Sequence, residues 1–173
     1  MPYLVGNGAH GRDIGESLLG SGWVVFLDDD PSRSWGAWPD RPVEFLVGIN
    51  DPTTRHKVAS RLEAQEWVAW NDGRFIHPAA QVTNDVTLGR HVHVGGHSFL
   101  VRCTIGDYTT IAPGVTICGD VTIGEEVFVG AGATICNLVT IEDRAVIGAG
   151  ATVLPGTTVP AGETWVGVPA RPR

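Results

Sequence analysis

The stretch Ile105–Val159, IGDYTTIAPGVTICGDVTIGEEVFVGAGATICNLVTIEDRAVIGAGATVLPGTTV, repeats with a period of six residues. An Ile or Val returns at every sixth position, and a small or β-branched residue follows four positions later. This period fits neither a helix nor the simple alternation of a hairpin strand. It predicts a triangular solenoid in which each hexad forms one short side and one corner, so that three hexads complete a coil.

The same register extends toward the N-terminus, through Ile76, Val82, Leu88, Val94 and Leu100. The step from Leu100 to Ile105 is one residue short, so we expect a missing residue within Gly95–Cys103. For residues 76–173 we predict a left-handed parallel β-helix of about four to five coils followed by a C-terminal tail. Its Ile and Val side chains should point inward, with the small residues at the corners.

Residues 1–75 follow a different pattern, in which apolar strands alternate with helical segments. We predict strands at 2–5, 23–27, 43–47 and 66–70, and helices at 12–19 and 52–64. This order predicts a small α/β domain, a Rossmann-like half-domain that ends at residue 75.

A glycine-rich turn, Gly6–Gly11, follows the first predicted strand and opens the first helix, and Asp28 and Asp29 follow the second strand. Backbone N–H groups at such a helix start favour a phosphate, and a strand-end acid favours a ribose. So few residues cannot build both halves of a dinucleotide fold, which favours a mononucleotide such as the UDP of a sugar nucleotide. A turn required only for close strand–helix packing is the alternative.

Composition excludes several function classes. The net charge of −7, without a basic stripe, argues against nucleic acid as a partner. No apolar run is long enough to span a membrane, and the N-terminus MPYLVGNG has no basic region typical of a signal peptide. The three cysteines form no CxxC pair, so we expect no cysteine-type zinc site and a cytoplasmic, reducing location.

Several motifs together resemble the NeuD/PglD-type sugar acyltransferases. They are the glycine-rich turn with its strand-end acids, a Gly-x-Asn turn, the sequence IHPAA at 76–80, the hexapeptide solenoid and the ending VGVPA at 166–170. The likeness covers nearly the whole chain. It implies a homotrimer of left-handed β-helices that uses acetyl-CoA, with the active site between neighbouring subunits. That family includes UDP-4-amino-sugar N-acetyltransferases and sialic acid O-acetyltransferases.

The resemblance also implies roles for individual residues. The residues that match the nucleotide-sugar site are Gly8, His10, Gly11, Asp28, Asp29, Gly48, Asn50 and Asp51. Those that match the groove for the pantetheine arm and adenine of acetyl-CoA are Gly130, Gly148, Ala149 and Pro169.

The catalytic base of the family does not carry over. Family members have a His-acid pair just before a Cys-x-Ile-Gly, whereas Val101 and Arg102 precede Cys103 here, and Thr110 replaces a second family His. His97 lies in the irregular coil without another motif role, so it is the candidate general base. A His that is simply exposed on a solenoid face is the alternative.

The other histidines have structural interpretations. We expect His56 to be solvated on a helix, His77 to belong to the linker, and His91 and His93 to lie at a strand edge. The cluster of histidines also invites comparison with the metal-binding β-helices of γ-class carbonic anhydrases. Those need a further His where Val101 and Arg102 stand, so we predict no metal.

Three functions remain open. The first is an acyl-CoA-dependent N-acyltransferase, with acetyl-CoA as cosubstrate, acting on an amino sugar nucleotide or a related small acceptor. The second is a catalytically inactive family member that binds a nucleotide sugar or CoA. The third is a transferase redirected to a non-sugar acceptor. Turnover of acetyl-CoA with a panel of amines would separate them.

Overall fold

The computed structural model describes residues 3–6, 25–27, 39 and 42–173. Contacts within the chain divide it into two compact units, Met1–Phe75 and Ile76–Arg173. The predicted first helix and the predicted site residues Gly8, His10, Gly11, Asp28 and Asp29 lie outside the described residues.

The first unit contains a parallel sheet in the order β2-β1-β3-β4. Its strands are β1 (Tyr3–Val5), β2 (Val25–Leu27), β3 (Glu44–Val47) and β4 (Val68–Ala69). The last strand is shorter than predicted at both ends: Glu66 has a positive φ of 64°, and a 3₁₀ turn, Trp70–Gly73, follows Ala69. Four strands and a single helix among the described residues do not establish a Rossmann-like half-domain, which stays a prediction.

The helix α1 (Pro52–Glu63) begins where the sequence predicts. Asp51 caps it, with Oδ1 accepting a hydrogen bond from the Thr54 N–H at 2.8 Å, and Pro52 occupies the first turn, where its missing N–H costs nothing. The buried face of the helix consists of Pro52, Arg55, Ala59 and Leu62.

The second unit is a parallel β-solenoid of about five turns with three faces. Its strands are β5 (Phe75–Ile76), β6 (Gln81–Val82), β7 (Thr87–Leu88), β8 (His93–Val94), β9 (Phe99–Leu100), β10 (Cys103–Ile105), β11 (Thr110–Ile111), β12 (Thr116–Ile117), β13 (Val121–Ile123), β14 (Phe128–Val129), β15 (Thr134–Ile135), β16 (Thr140–Ile141), β17 (Val146–Ile147), β18 (Thr152–Val153), β19 (Thr158–Val159), β20 (Thr164–Val166) and β21 (Arg171–Pro172). The first face has β7, β10, β13, β16 and β19. The second has β5, β8, β11, β14, β17, β20 and β21, and the third has β6, β9, β12, β15 and β18.

The predicted inward ladder is confirmed. Each Ile or Val at a sixth position from Ile105 to Val159 is at most 2% exposed. Copies on successive coils stack in register, as Ile105 does on Ile123 and Ile123 on Ile141. Burial of this column is the main source of stability, because each fully buried aliphatic side chain contributes about 1.5–3 kcal/mol.

The small residues fill the corners, but they do not make the bends, contrary to our expectation. Val115, Val121 and Ala133, which belong to that set, are buried in the core. The bend is made one residue earlier, at positions with positive φ such as Gly114 (72°) and Gly132 (68°). A left-handed residue turns the chain, and the next side chain then points into the narrow corner of the triangle, where a small group fits.

The missing residue of the second coil is confirmed and can be located. Leu100 pairs with Ile117, whereas Cys103 pairs with Val121, so the turn between them is one residue shorter on the earlier coil. The deletion therefore falls at Val101 and Arg102, and Arg102 adopts a left-handed conformation with φ of 40°.

Candidate active site

At the carboxyl end of the N-terminal sheet, the segment that follows β1 packs closely against the segment that follows β3. The Gly48 N–H donates to the Val5 carbonyl at 2.7 Å, and a Cβ at Gly6 would lie 2.8 Å from Ile49 Cγ1. Strand β1 lies between β2 and β3, so the strand order changes direction at β1. Open parallel sheets bind ligands at such a topological switch point.

Three predicted site residues lie together at this edge, in the turn that joins β3 to α1. Gly48 is buried, whereas Asn50 and Asp51 are exposed. The hydrogen bond from Thr54 lowers the pKa of Asp51 against the opposing effect of partial burial, and Arg55 and Lys57 lower it further. The turn thus presents an amide side chain beside a carboxylate that is ionised at neutral pH.

Arg55 is a residue that sequence reasoning missed. Its side chain is fully buried on α1, and Nη1 donates to the Ile49 carbonyl at 2.7 Å and to the Asn50 carbonyl at 3.3 Å. The available signal was its spacing from Pro52, Ala59 and Leu62, which places a charged residue on the apolar face of the helix.

The four residues predicted for the acetyl-CoA groove lie on or beside one edge of the solenoid, between the second and third faces. A Cβ at Gly130 would lie 2.5 Å from the Ala149 nitrogen, and a Cβ at Gly148 would lie 2.8 Å from Val166 Cγ1. The segment that contains Pro169 continues this stack, since the Thr152 N–H donates to the Gly167 carbonyl at 3.0 Å. We call this edge the glycine corner; its turns are Pro78–Ala79, Gly96–His97, Pro113–Gly114, Ala131–Gly132 and Ala149–Gly150.

His97 belongs to the same glycine corner. It is exposed, has a φ of 59°, and its N–H donates to the Ala79 carbonyl at 3.1 Å. Three coil steps of about 4.8 Å put it roughly 14 Å along the solenoid axis from the coil of Ala149. The imidazole is therefore on the same edge of the solenoid as Gly130, Gly148 and Ala149, three coils from Ala149.

The positions of the family's His-acid pair lie at another edge, between the third and first faces. Arg102 Nη2 forms an ion pair with Asp120 Oδ2 at 3.1 Å, and the Arg102 N–H donates to Asp85 Oδ1 at 3.2 Å. The hydrogen bond with Asp120 raises the pKa of Arg102. A guanidinium cannot accept a proton, so neither Val101 nor Arg102 can act as a general base.

The remaining described histidines of the solenoid are held structurally. His77 Nδ1 accepts a hydrogen bond from the Ala79 N–H at 3.0 Å, which shapes the linker turn. His91 and His93, which we placed at a strand edge, are 0% and 1% exposed, and the His91 ring stacks on Tyr108 at 4.9 Å. His93 is the first residue of β8, and the burial of both side chains is a feature that alternation along a strand does not reveal.

The cysteines are not paired with one another. All three are free thiols, and burial raises the pKa of Cys103 to about 11 and also raises the pKa of Cys136. A protonated thiol is a poor nucleophile at neutral pH. Within the residues that the structure describes, no group of three metal-ligating side chains occurs. No helix in this described part is both long and apolar enough to cross a membrane.

Comparison with known proteins supports the fold. Residues 102–137 match the family described as bacterial transferase hexapeptide (six repeats). No curated protein matches the chain in sequence.

Several solved structures match almost the whole chain. Perosamine N-acetyltransferase from Caulobacter crescentus, solved with CoA and GDP-perosamine, is 23% identical over 99% of this chain and 96% of its own, with a TM-score of 0.78. The acetyltransferase domain of PglB from Neisseria gonorrhoeae, in complex with acetyl coenzyme A, is 24% identical over 99% and 98%, with a TM-score of 0.77. WeeI from Acinetobacter baumannii is 20% identical over 100% and 99%, with a TM-score of 0.79. These matches confirm the resemblance to sugar acyltransferases at the level of the fold.

Proposed function

We propose that the protein is an acyltransferase that uses acetyl-CoA as cosubstrate and acts on an amino sugar nucleotide or a related small acceptor. The observation that carries the proposal is the likeness over almost the whole chain to acetyltransferases, one of which was solved with both CoA and GDP-perosamine. Left-handed winding of the solenoid and a Rossmann-like N-terminal half-domain are part of the proposal. So is a cytoplasmic location.

The acceptor nucleotide binds, in this proposal, at the carboxyl edge of the N-terminal sheet. Gly48, Asn50 and Asp51 border the base there, and the glycine-rich turn with Gly8, His10 and Gly11 holds the diphosphate, while Asp28 and Asp29 contact the ribose or sugar. A nucleoside diphosphate sugar is the ligand class. We predict that the nucleotide part of this ligand is UDP. GDP, the nucleotide part of the GDP-perosamine in the Caulobacter structure, is the competing candidate.

Acetyl-CoA lies along the glycine corner, with its adenine end near Pro169 and its thioester toward the coil of His97. Gly130 and Gly148 allow the close approach of neighbouring coils at this corner, because a Cβ at either position would clash with the next coil. The acceptor amine attacks the thioester carbonyl, a backbone N–H stabilises the oxyanion, and CoA leaves as its thiolate. His97 accepts the proton that the amine loses.

A homotrimer is also part of the proposal. Large apolar side chains remain exposed on and beside the third face, among them Phe99 at 41%, Leu138 at 65% and Leu154 at 44%. Exposed apolar surface of this kind favours burial between copies of the chain. The resemblance places the active site between neighbouring subunits, which would let one copy complete the groove of another.

A second candidate function is supported by the ion pair between Arg102 and Asp120. The ion pair occupies the position of the family's catalytic base. A family member that keeps both binding sites but has lost catalytic activity would show the same replacement at this position. Such a protein would bind acetyl-CoA and a nucleotide sugar without turnover. A transferase redirected to a non-sugar acceptor would bind acetyl-CoA and that acceptor, but no nucleotide sugar.

Calorimetry with the purified protein tests the two binding sites separately. We expect heat with acetyl-CoA and with a UDP-sugar, and we expect Gly11→Val to abolish the second while leaving the first unchanged, because the added side chain occupies the phosphate turn. If a GDP-sugar binds and a UDP-sugar does not, the site accepts a guanine nucleotide and not the uracil nucleotide that we predict. No heat with any nucleoside diphosphate would mean that the glycine turn is purely structural.

A further inference from the structure

Arg55 stands out because a charged side chain is fully buried on a helix face that is otherwise apolar. Its guanidinium does not point to solvent. One nitrogen, Nη1, donates to two successive carbonyl oxygens, those of Ile49 at 2.7 Å and Asn50 at 3.3 Å. The buried cation therefore acts on the backbone of the turn between β3 and α1.

Peptide geometry converts these two hydrogen bonds into an orientation of the turn. In a trans peptide unit the C=O and the N–H of the next residue point in opposite directions. With the carbonyls of Ile49 and Asn50 held on the guanidinium, the N–H vectors of Asn50 and Asp51 are directed away from Arg55. The turn is tied at its start as well, because the Gly48 N–H donates to the Val5 carbonyl at 2.7 Å.

The placement of this turn suggests why a charge is kept there. It lies at the carboxyl edge of the sheet, after β3 and beside the end of β1, at the switch point where ligands of open parallel sheets bind. Apolar side chains of similar volume commonly replace buried ions without loss of stability. The guanidinium hydrogen bonds fix the orientation of two peptide groups here, which the packing of an apolar side chain would not do.

We infer that Arg55 is a positioning residue for the acceptor, acting through the turn that borders the nucleotide base. The inference rests on the proposed function, and it adds a residue that the family motifs did not include. In this inference Arg55 acts on the acceptor indirectly, through the backbone of the turn. It fixes the peptide groups of residues 49–51, so that Asn50 and Asp51 meet the nucleotide sugar already oriented and less conformational freedom is lost on binding.

The test compares Arg55→Met, which removes the donors, with Arg55→Lys, which keeps the charge and can reach one carbonyl. Arg61→Met, on the exposed side of the same helix, is the matched control. For each protein the dissociation constants for a UDP-sugar, a GDP-sugar and acetyl-CoA are measured by calorimetry, together with the thermal midpoint. We expect Arg55→Met to weaken nucleotide-sugar binding at least about tenfold with acetyl-CoA affinity unchanged. Arg55→Lys should be intermediate and Arg61→Met unaffected.

Three results would overturn the inference. The first is unchanged nucleotide-sugar affinity in Arg55→Met. The second is a parallel loss of both ligands with the thermal midpoint, which would make Arg55 a purely structural residue. The third, decisive if Arg55→Met fails to fold, is an Arg55→Lys protein that has wild-type affinity for the nucleotide sugar. Failure of the proposed function is distinguishable, because then the wild-type protein itself binds no nucleoside diphosphate sugar.

Discussion

Replacing His97 with alanine is expected to lower turnover with acetyl-CoA at least about a hundredfold, while acetyl-CoA affinity changes little. The substitution removes the proton acceptor for the attacking amine, and that contribution is made in the transition state and not in the ground-state complex. Steady-state kinetics should therefore show a fall in kcat, and calorimetry should show an unchanged dissociation constant for acetyl-CoA.

The structural basis of this expectation is the location of His97. It is exposed on the glycine corner, on the second coil, and Val101 and Arg102 provide no alternative base at the family's position. The control is His56→Ala on α1, which should keep wild-type kinetics. Full activity of His97→Ala would show that the acceptor amine enters already deprotonated.

Replacing Ile123 with aspartate is expected to unfold the solenoid. The side chain is 2% exposed and stacks between Ile105 and Ile141, so a carboxylate there would have no solvent and no cation. Burial of an unpaired charge is among the few single changes that cost on the order of 4 kcal/mol or more. Urea or thermal unfolding followed by circular dichroism measures the loss.

Glu125→Gln is the matched control for that change. Glu125 is exposed two residues further along the same coil, and it is its backbone N–H, not its side chain, that donates to Asp143 Oδ1 at 2.8 Å. Its substitution should leave the unfolding midpoint almost unchanged. Equal shifts for the two variants would contradict the assignment of inward and outward positions.

The solenoid could be predicted in detail because a repeat imposes the same environment on every sixth position. Ile105, Ile123 and Ile141 each contact their own copies, so the pattern in the sequence is also the packing in the core. Even the missing residue was visible, because a break in a strict period can be counted. The corner bends were misplaced by one residue because the sequence shows which residues are small but not which ones have positive φ.

Features that depend on contacts distant in sequence could not be predicted in the same way. The helical spacing shows that Arg55 is a charged residue on an apolar face, but its hydrogen bonds to two carbonyl groups cannot be read from residue types. His91 and His93 were expected at a strand edge, and only the folded chain shows that they are buried. The ion pair of Arg102 with Asp120 likewise follows from the stacking of coils.

The central claim, that this chain transfers an acyl group, is tested most directly by acetyl-CoA turnover with a panel of amines that includes amino sugar nucleotides. Release of the CoA thiol and the mass of the product are followed together. The proposed function predicts thiol release that depends on the acceptor and matches the N-acetylated product mole for mole. Absence of thiol release with every acceptor, in a protein that still binds acetyl-CoA by calorimetry, would contradict it and establish the non-catalytic alternative.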